Sequence, residues 1–144
     1  MGGRVQGWIH EGSGMETVKV EDIQKKLREE YCKVMRNWET GKLYYRTINY
    51  VKTYTRGIFN SKAKNYIVAV IALARLGMPI TTNSIRWLTN SSDQCAYSRA
   101  EHLSSLNILE PVEYGKARGS PRMFKIVPEY LTSIYSHIEG EGKC

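Results

Sequence analysis

The chain has 144 residues, 42% of them hydrophobic, and carries a formal charge of +7 from 21 Lys and Arg against 14 Asp and Glu. This suits one ordinary domain with a single core, and a basic excess of this kind points to a polyanionic partner. No run approaches the roughly 18 apolar residues of a spanning helix, and the N-terminus lacks the charged-then-apolar plan of a secretion signal, so a soluble, cytoplasmic protein with no membrane partner is expected.

Residues 1–14, MGGRVQGWIHEGSG, hold five glycines and no sustained period. They are expected to be a flexible arm, extending to residue 18, with a single domain over 19–140. From Val20 a helical pattern sets in: Ile23, Leu27, Tyr31, Val34 and Trp38 recur at steps of three and four, with Glu21 and Asp22 in the first turn where the helix dipole favours them. The spacing predicts a helix over 20–38, ended by Thr40-Gly41.

Residues 42–58, KLYYRTINYVKTYTRGI, have the composition of a strand but the period of a helix. On a helix, Tyr44, Ile48, Val51, Thr55 and Ile58 share an inward side and Lys42, Arg46, Lys52 and Arg56 the other. The basic side belongs to a longer one-sided stretch. Between Glu39 and Asp93 there is no acidic residue, while Lys62, Lys64, Arg75 and Arg86 also lie there. Lys42, Arg46, Lys52, Arg56, Lys62 and Lys64 are therefore candidates for facing phosphates, against the plainer reading of a solvated basic face.

Asn60 or Ser61 can cap the next helix, KAKNYIVAVIALARL, which stops at Gly77. Its middle is apolar nearly all round, the mark of a centrally buried helix. After the extended step Met78-Pro79-Ile80, Thr81 or Thr82 caps a short helix with Ile85 and Leu88 facing inward. Thr89-Asn90-Ser91 makes a polar turn, and a further helix starts at Ser91 or Ser92 and runs to Leu106. Two short helices joined by such a turn follow the helix-turn-helix plan.

In the second of them Ala96, Ala100 and Leu103 fall inward and Gln94, Ser98, Glu101 and Ser105 outward, with Tyr97 on the flank. Outward positions near the start of a recognition helix reach base edges in the major groove. Gln94, Tyr97, Ser98 and Glu101 are the candidate base readers: Gln bonds adenine bidentately, Ser bonds several bases, and Glu accepts from cytosine N4. Thr81, Arg86, Ser91, Ser92 and Arg99 are candidates for the DNA backbone. Each of these polar residues equally suits a solvent-facing position.

Asn107 can end the helix in the left-handed conformation, and Ile108-Leu109 re-enter the core. ILEPVEY, GKARGSP and RMFKIV then read as a hairpin whose basic tip carries Lys116, Arg118 and Arg122, placed to touch phosphate or enter the minor groove. Pro128 opens a last helix with Leu131, Ile134, Tyr135 and Ile138 at helical spacing. That stripe, with Ile23, Leu27 and Val34 of the first helix, is the candidate dimerisation surface, the alternative being packing within the chain.

The order from GMPITTNSIRWL through SSDQCAYSRAEHLSSLNIL to the hairpin resembles the winged-helix DNA-binding domains of bacterial and archaeal transcription regulators of the MarR and ArsR type. The resemblance covers about residues 61–127. It implies a mainly α fold with a small β-hairpin: a winged helix-turn-helix core over 60–127, extra N-terminal helices over 19–59 and a C-terminal helix over 128–140. It also implies that the helix from Ser92 recognises DNA and that residues 114–122 are the wing. The sequence departs from the pattern at Asn107, where such proteins often have Gly, and it lacks the metal-ligand cluster of ArsR-type sensors.

Cys32, Cys95 and Cys144 are far apart, as are His10, His102 and His137. No disulfide framework, metal site or cofactor is expected, and Cys32 and Cys95 read as small buried hydrophobes in helical patterns. With no Gly-rich phosphate loop either, catalysis is not expected. The expected function is a dimeric, sequence-specific regulator on double-stranded DNA, associated with the nucleoid. Its rivals are a protein-interaction module of a replication, segregation or transcription complex, favoured by the Tyr-rich 43–54 stretch, and an architectural DNA binder, favoured by the basic 42–64 run.

Overall fold

The computed structural model describes residues 20–112 and 122–140. Its elements are α1 (Val20–Glu39), α2 (Lys42–Tyr54), α3 (Lys64–Arg75), β1 (Ile80–Thr81), α4 (Thr82–Thr89), α5 (Asp93–Ser105), β2 (Leu109–Val112), β3 (Met123–Ile126) and α6 (Pro128–Ile134). The result is mainly helical with a small antiparallel sheet of three strands in the order β1-β3-β2. The predicted arm and the loop that would form the hairpin tip, with Lys116 and Arg118, lie outside the described residues.

α3 is the centre. Every residue from Ile67 to Leu73 is buried, and α1, α4, α5 and the sheet pack around it. Such a helix has no solvent face to be amphipathic about, which is why its sequence lacks a polar stripe. α1 lays Leu27, Val34 and Trp38 into the core and stops where Gly41 adopts φ +93, a left-handed conformation that favours glycine.

α2 buries a face rotated from the one its period predicts: Val51 is buried and Ile48 packs against the core as expected, but the buried side turns toward Leu43, Thr47 and Tyr50. Leu43, Thr47, Tyr50 and Val51 are buried, whereas Tyr44 is 38% and Ile58 85% exposed. Two facts account for the rotation. The helix ends at Tyr54, so Ile58 is not on it; and the hydroxyls of Thr47 and Tyr50 find partners inside the fold. Thr47 Oγ1 lies 2.7 Å from the Tyr130 hydroxyl, and the Tyr50 hydroxyl donates to the Asn107 carbonyl at 2.7 Å. A buried hydroxyl with a partner loses its desolvation penalty. Beyond α2, Gly57 lies so close to the end of α5 that a Cβ there would stand 2.6 Å from Leu106 Cδ2.

The extended step before α4 is more than a connection. As β1 it pairs with β3, Ile80 opposite Phe124, and adds a third strand to the predicted hairpin, in which Leu109 faces Ile126 and Val112 faces Met123. α6 is shorter than expected and passes at Tyr135–His137 into a 3-10 turn. It packs on α2 in the same chain.

That packing corrects the candidate dimer surface. Leu27, Val34, Ile134 and Ile138 all belong to the core. Ile23 and Leu131 are half-buried, and Tyr135 is 67% exposed. The segment after the 3-10 turn is held by Asn37, a buried polar residue whose side chain donates to the Glu139 carbonyl and accepts from the Glu139 N–H. The cysteines also differ from expectation. Cys32 is disulfide-bonded, and Cys95 is free and exposed; neither state has a local sequence signature. No helix among the described residues is long and apolar enough to cross a membrane.

Candidate nucleic-acid interface

α4 and α5 are set by their caps. Thr81 accepts from the Ser84 N–H while the Ser84 hydroxyl accepts from the Thr81 N–H, a reciprocal capping box. Asn90 ends α4 in the left-handed conformation, and Ser92 caps α5 by accepting from the Cys95 N–H. The Ser91 and Thr89 hydroxyls pair at 2.8 Å. Thr81, Ser91 and Ser92, named as backbone contacts, therefore already use their hydroxyls in shaping the turn. Ile85 and Leu88 of α4 meet Ala96, Ala100 and Leu103 of α5 in the core, so the small alanines permit a close approach of the two helices.

This packing leaves Gln94, Tyr97, Ser98 and Glu101 exposed on the outer side of α5. Gln94 and Ser98 have no side-chain partner among the described residues. Tyr97 and Glu101 do: Arg122 donates from Nη2 to the Tyr97 hydroxyl at 2.7 Å, lies 5.2 Å from the ring centroid, and stands 3.9 Å from the Glu101 carboxylate. The residue entering β3 thus holds the hairpin to the flank of α5. At the start of α5, Arg86 Nε reaches Asp93 Oδ1 at 2.8 Å. Arg99 is half-buried; together with burial, the larger cause, it lowers the pKa of His102 from its ordinary value. The His102 Nε2, Thr82 Oγ1 and Ser104 Oγ atoms are buried without a partner among the described residues.

Among the described residues, none of the six cations of the 42–64 run pairs with a residue of this surface. Tyr50 and Gly57 place the C-terminal end of α2 beside the end of α5, and the 13 residues of α5 put about 20 Å between that end and Gln94. Nor do the cations share one face. Arg56 follows the end of α2, Lys62 lies in a 3-10 turn, Lys64 pairs with Glu39 at 3.9 Å, and Lys42 with Glu139 at 3.7 Å. Arg46 donates from Nε to His137 Nε2 at 2.9 Å. Lys52 is exposed.

Sequence reasoning missed three members of the α4–α5 surface. Asp93 engages Arg86, Cys95 is exposed among the outward residues of α5, and Trp87 lies beneath Arg28 of α1, 4.7 Å from guanidinium carbon to ring centroid. Arg28 also donates to the Leu88 carbonyl at 3.0 Å, pinning α1 to α4. A contact between residues 60 apart leaves no periodic trace; the Arg86–Asp93 pair, across one short turn, was within reach of a charge-pattern reading.

Among the described residues no group of three or more His, Cys, Asp or Glu could hold a metal ion. The chain matches no protein-family model, no curated protein and no solved structure in the three comparisons made.

Proposed function

We propose that the chain is a winged-helix protein that binds double-stranded DNA in a sequence-specific way and acts as a regulator in the cytoplasm, without catalysis of its own. The observation that carries this reading is the outer face of α5: a capped helix, held rigidly over a short turn, that presents Gln94 and Ser98 unengaged beside Arg86, Tyr97, Glu101 and Arg122. The order α3-β1-α4-α5-β2-β3 agrees with the winged-helix plan, in which the β2–β3 pair would carry the wing. α5 enters the major groove, Gln94 and Ser98 read bases, and Arg86 and Arg122 exchange their carboxylate partners for phosphates. Both bridges are exposed, so the exchange has little to overcome.

A pair of chains would present two such helices one DNA turn apart. With most of the apolar stripe in the core, the pairing surface falls to Ile23, Leu131 and Tyr135. The second reading, a protein-interaction module, draws on the exposed Tyr45, Tyr54 and Ile58.

Selection from random duplexes at two salt concentrations tests the proposal. A retained motif with a steep salt dependence is expected, since each neutralised phosphate adds close to one unit to the logarithmic slope. Gln94→Ala should weaken binding to that motif by about 1–3 kcal/mol and relax one position of it. Retention without a motif would make the chain an architectural binder, and no retention at either salt would leave the interaction module.

A further inference from the structure

A groove between the start of α2 and the 3-10 turn after α6 plays no part in the surface described above. It is an open depression of about 370 Å³ lined by Lys42, Tyr45, Arg46, Asn49 and His137. The four α2 residues follow one another at steps of three, one and three, which puts them on one helical face. The fifth is delivered by chain 91 residues beyond Arg46.

Two of these groups are held in place while still open to solvent. Arg46 donates from Nε to His137 Nε2 at 2.9 Å, which orients the guanidinium and leaves its two terminal amino groups without a partner among the described residues. Tyr45 is 67% exposed, yet its ring is anchored. It packs edge-on against Tyr44 with centroids 5.3 Å apart, and Tyr44 packs in turn on the buried Trp38 at 5.6 Å. From the backbone side Gly41 approaches so closely that a Cβ there would stand 3.3 Å from Tyr45 Cε2. Among the described residues Lys42 is tied only to Glu139, in a pair exposed at both ends that a stronger anion would displace.

We propose that this groove binds a nucleotide unit, with the phosphate against Arg46 and Lys42, the base stacked on Tyr45, and the Asn49 amide bonding to its edge. A guanidinium presents a fork that matches phosphate oxygens, and a fixed aromatic face accepts any base. An acidic peptide would use the cations but leave the ring unused. A duplex cannot use it either, because its bases are stacked away from Tyr45; the nucleotide comes from a free molecule or from a single strand. The site lies along α2 from the α5 face and does not depend on duplex binding there.

The test is calorimetric titration of the intact chain with adenosine monophosphate, a short oligodeoxyadenylate, adenosine and inorganic phosphate, with amide shifts of Tyr45, Arg46 and Asn49 followed by NMR. At least one phosphate-bearing adenine probe should bind and shift those amides. Arg46→Ala and Tyr45→Ala should each lower its affinity about tenfold or more, Asn49→Asp should lower it by repulsion, and Gln94→Ala should leave it unchanged. These side chains are exposed, so unchanged thermal melting will show that the variants remain folded. Binding of the monophosphate assigns the groove to a free nucleotide, and binding of the oligonucleotide alone assigns it to a strand. The proposal is overturned if neither binds, if inorganic phosphate binds as tightly as the nucleotide, or if the Arg46 and Tyr45 variants bind like the parent chain.

Discussion

Thr47 and Tyr130 meet in the core with 2.7 Å between their oxygens, and neither side is exposed. Burial pushes the Tyr130 phenol far above its ordinary pKa. Tyr130→Phe leaves the Thr47 hydroxyl buried and unpaired, at about 1–3 kcal/mol. Thr47→Val in the same chain removes that orphan, so urea denaturation should find the double variant more stable than Tyr130→Phe alone; if it is no better, the hydroxyl pair is not what stabilises the α2–α6 contact. His102 makes a prediction in pH. Its folded pKa lies below the unfolded value of about 6.5, so the unfolded chain takes up the proton first. The contribution of His102 to stability is present above that value and is lost as pH falls through it. Melting temperature should drop between pH 7 and pH 5, and by less in His102→Gln. Thr47 was read as neither core nor site, because its partner stands 83 residues away.

At the scale of elements, what was legible is what is local. Asn60, Thr81 and Ser92 accept from backbone N–H groups as N-caps, and Gly77 and Asn107 take positive φ where a helix stop was expected. Each of these signals lies within about three residues of what it controls. Ser92→Ala should destabilise the chain by about 1 kcal/mol and Ser92→Gly by only a few tenths, measured by denaturant titration. The face of α2 is met at Val51 and Ile48 but rotated toward Thr47 and Tyr50, because its period admits two apolar sides and the choice belonged to Tyr130 and Asn107, not to α2 itself. The pairing of β1 was missed for the same reason: two residues carry no period, and only Phe124 and Met123 make them a strand.

For the whole molecule, scaffold and surface separate cleanly. Ile71 at the centre of α3 is fully buried, and Ile71→Ala should cost about 2–5 kcal/mol, a large part of the roughly 5–15 kcal/mol that holds such a domain together. Gln94→Ala, on the exposed face of α5, should leave stability within about 0.5 kcal/mol while weakening the proposed DNA contact. Equal losses of stability in the two variants would contradict this division.

The sequence by itself determined the helices, their caps, the central burial of α3, the β2–β3 pair and the acid-free stretch between Glu39 and Asp93, because each is written within one or two turns of chain or in composition alone. Only the tertiary structure decided which side of α2 is buried, that Ile134 and Ile138 close the core of their own chain, that Arg122 holds Tyr97 and Glu101, and that His137 completes a groove with Arg46. Those outcomes rest on partners 21 to 91 residues apart, brought together by burial of the core as a whole, and no local pattern encodes them.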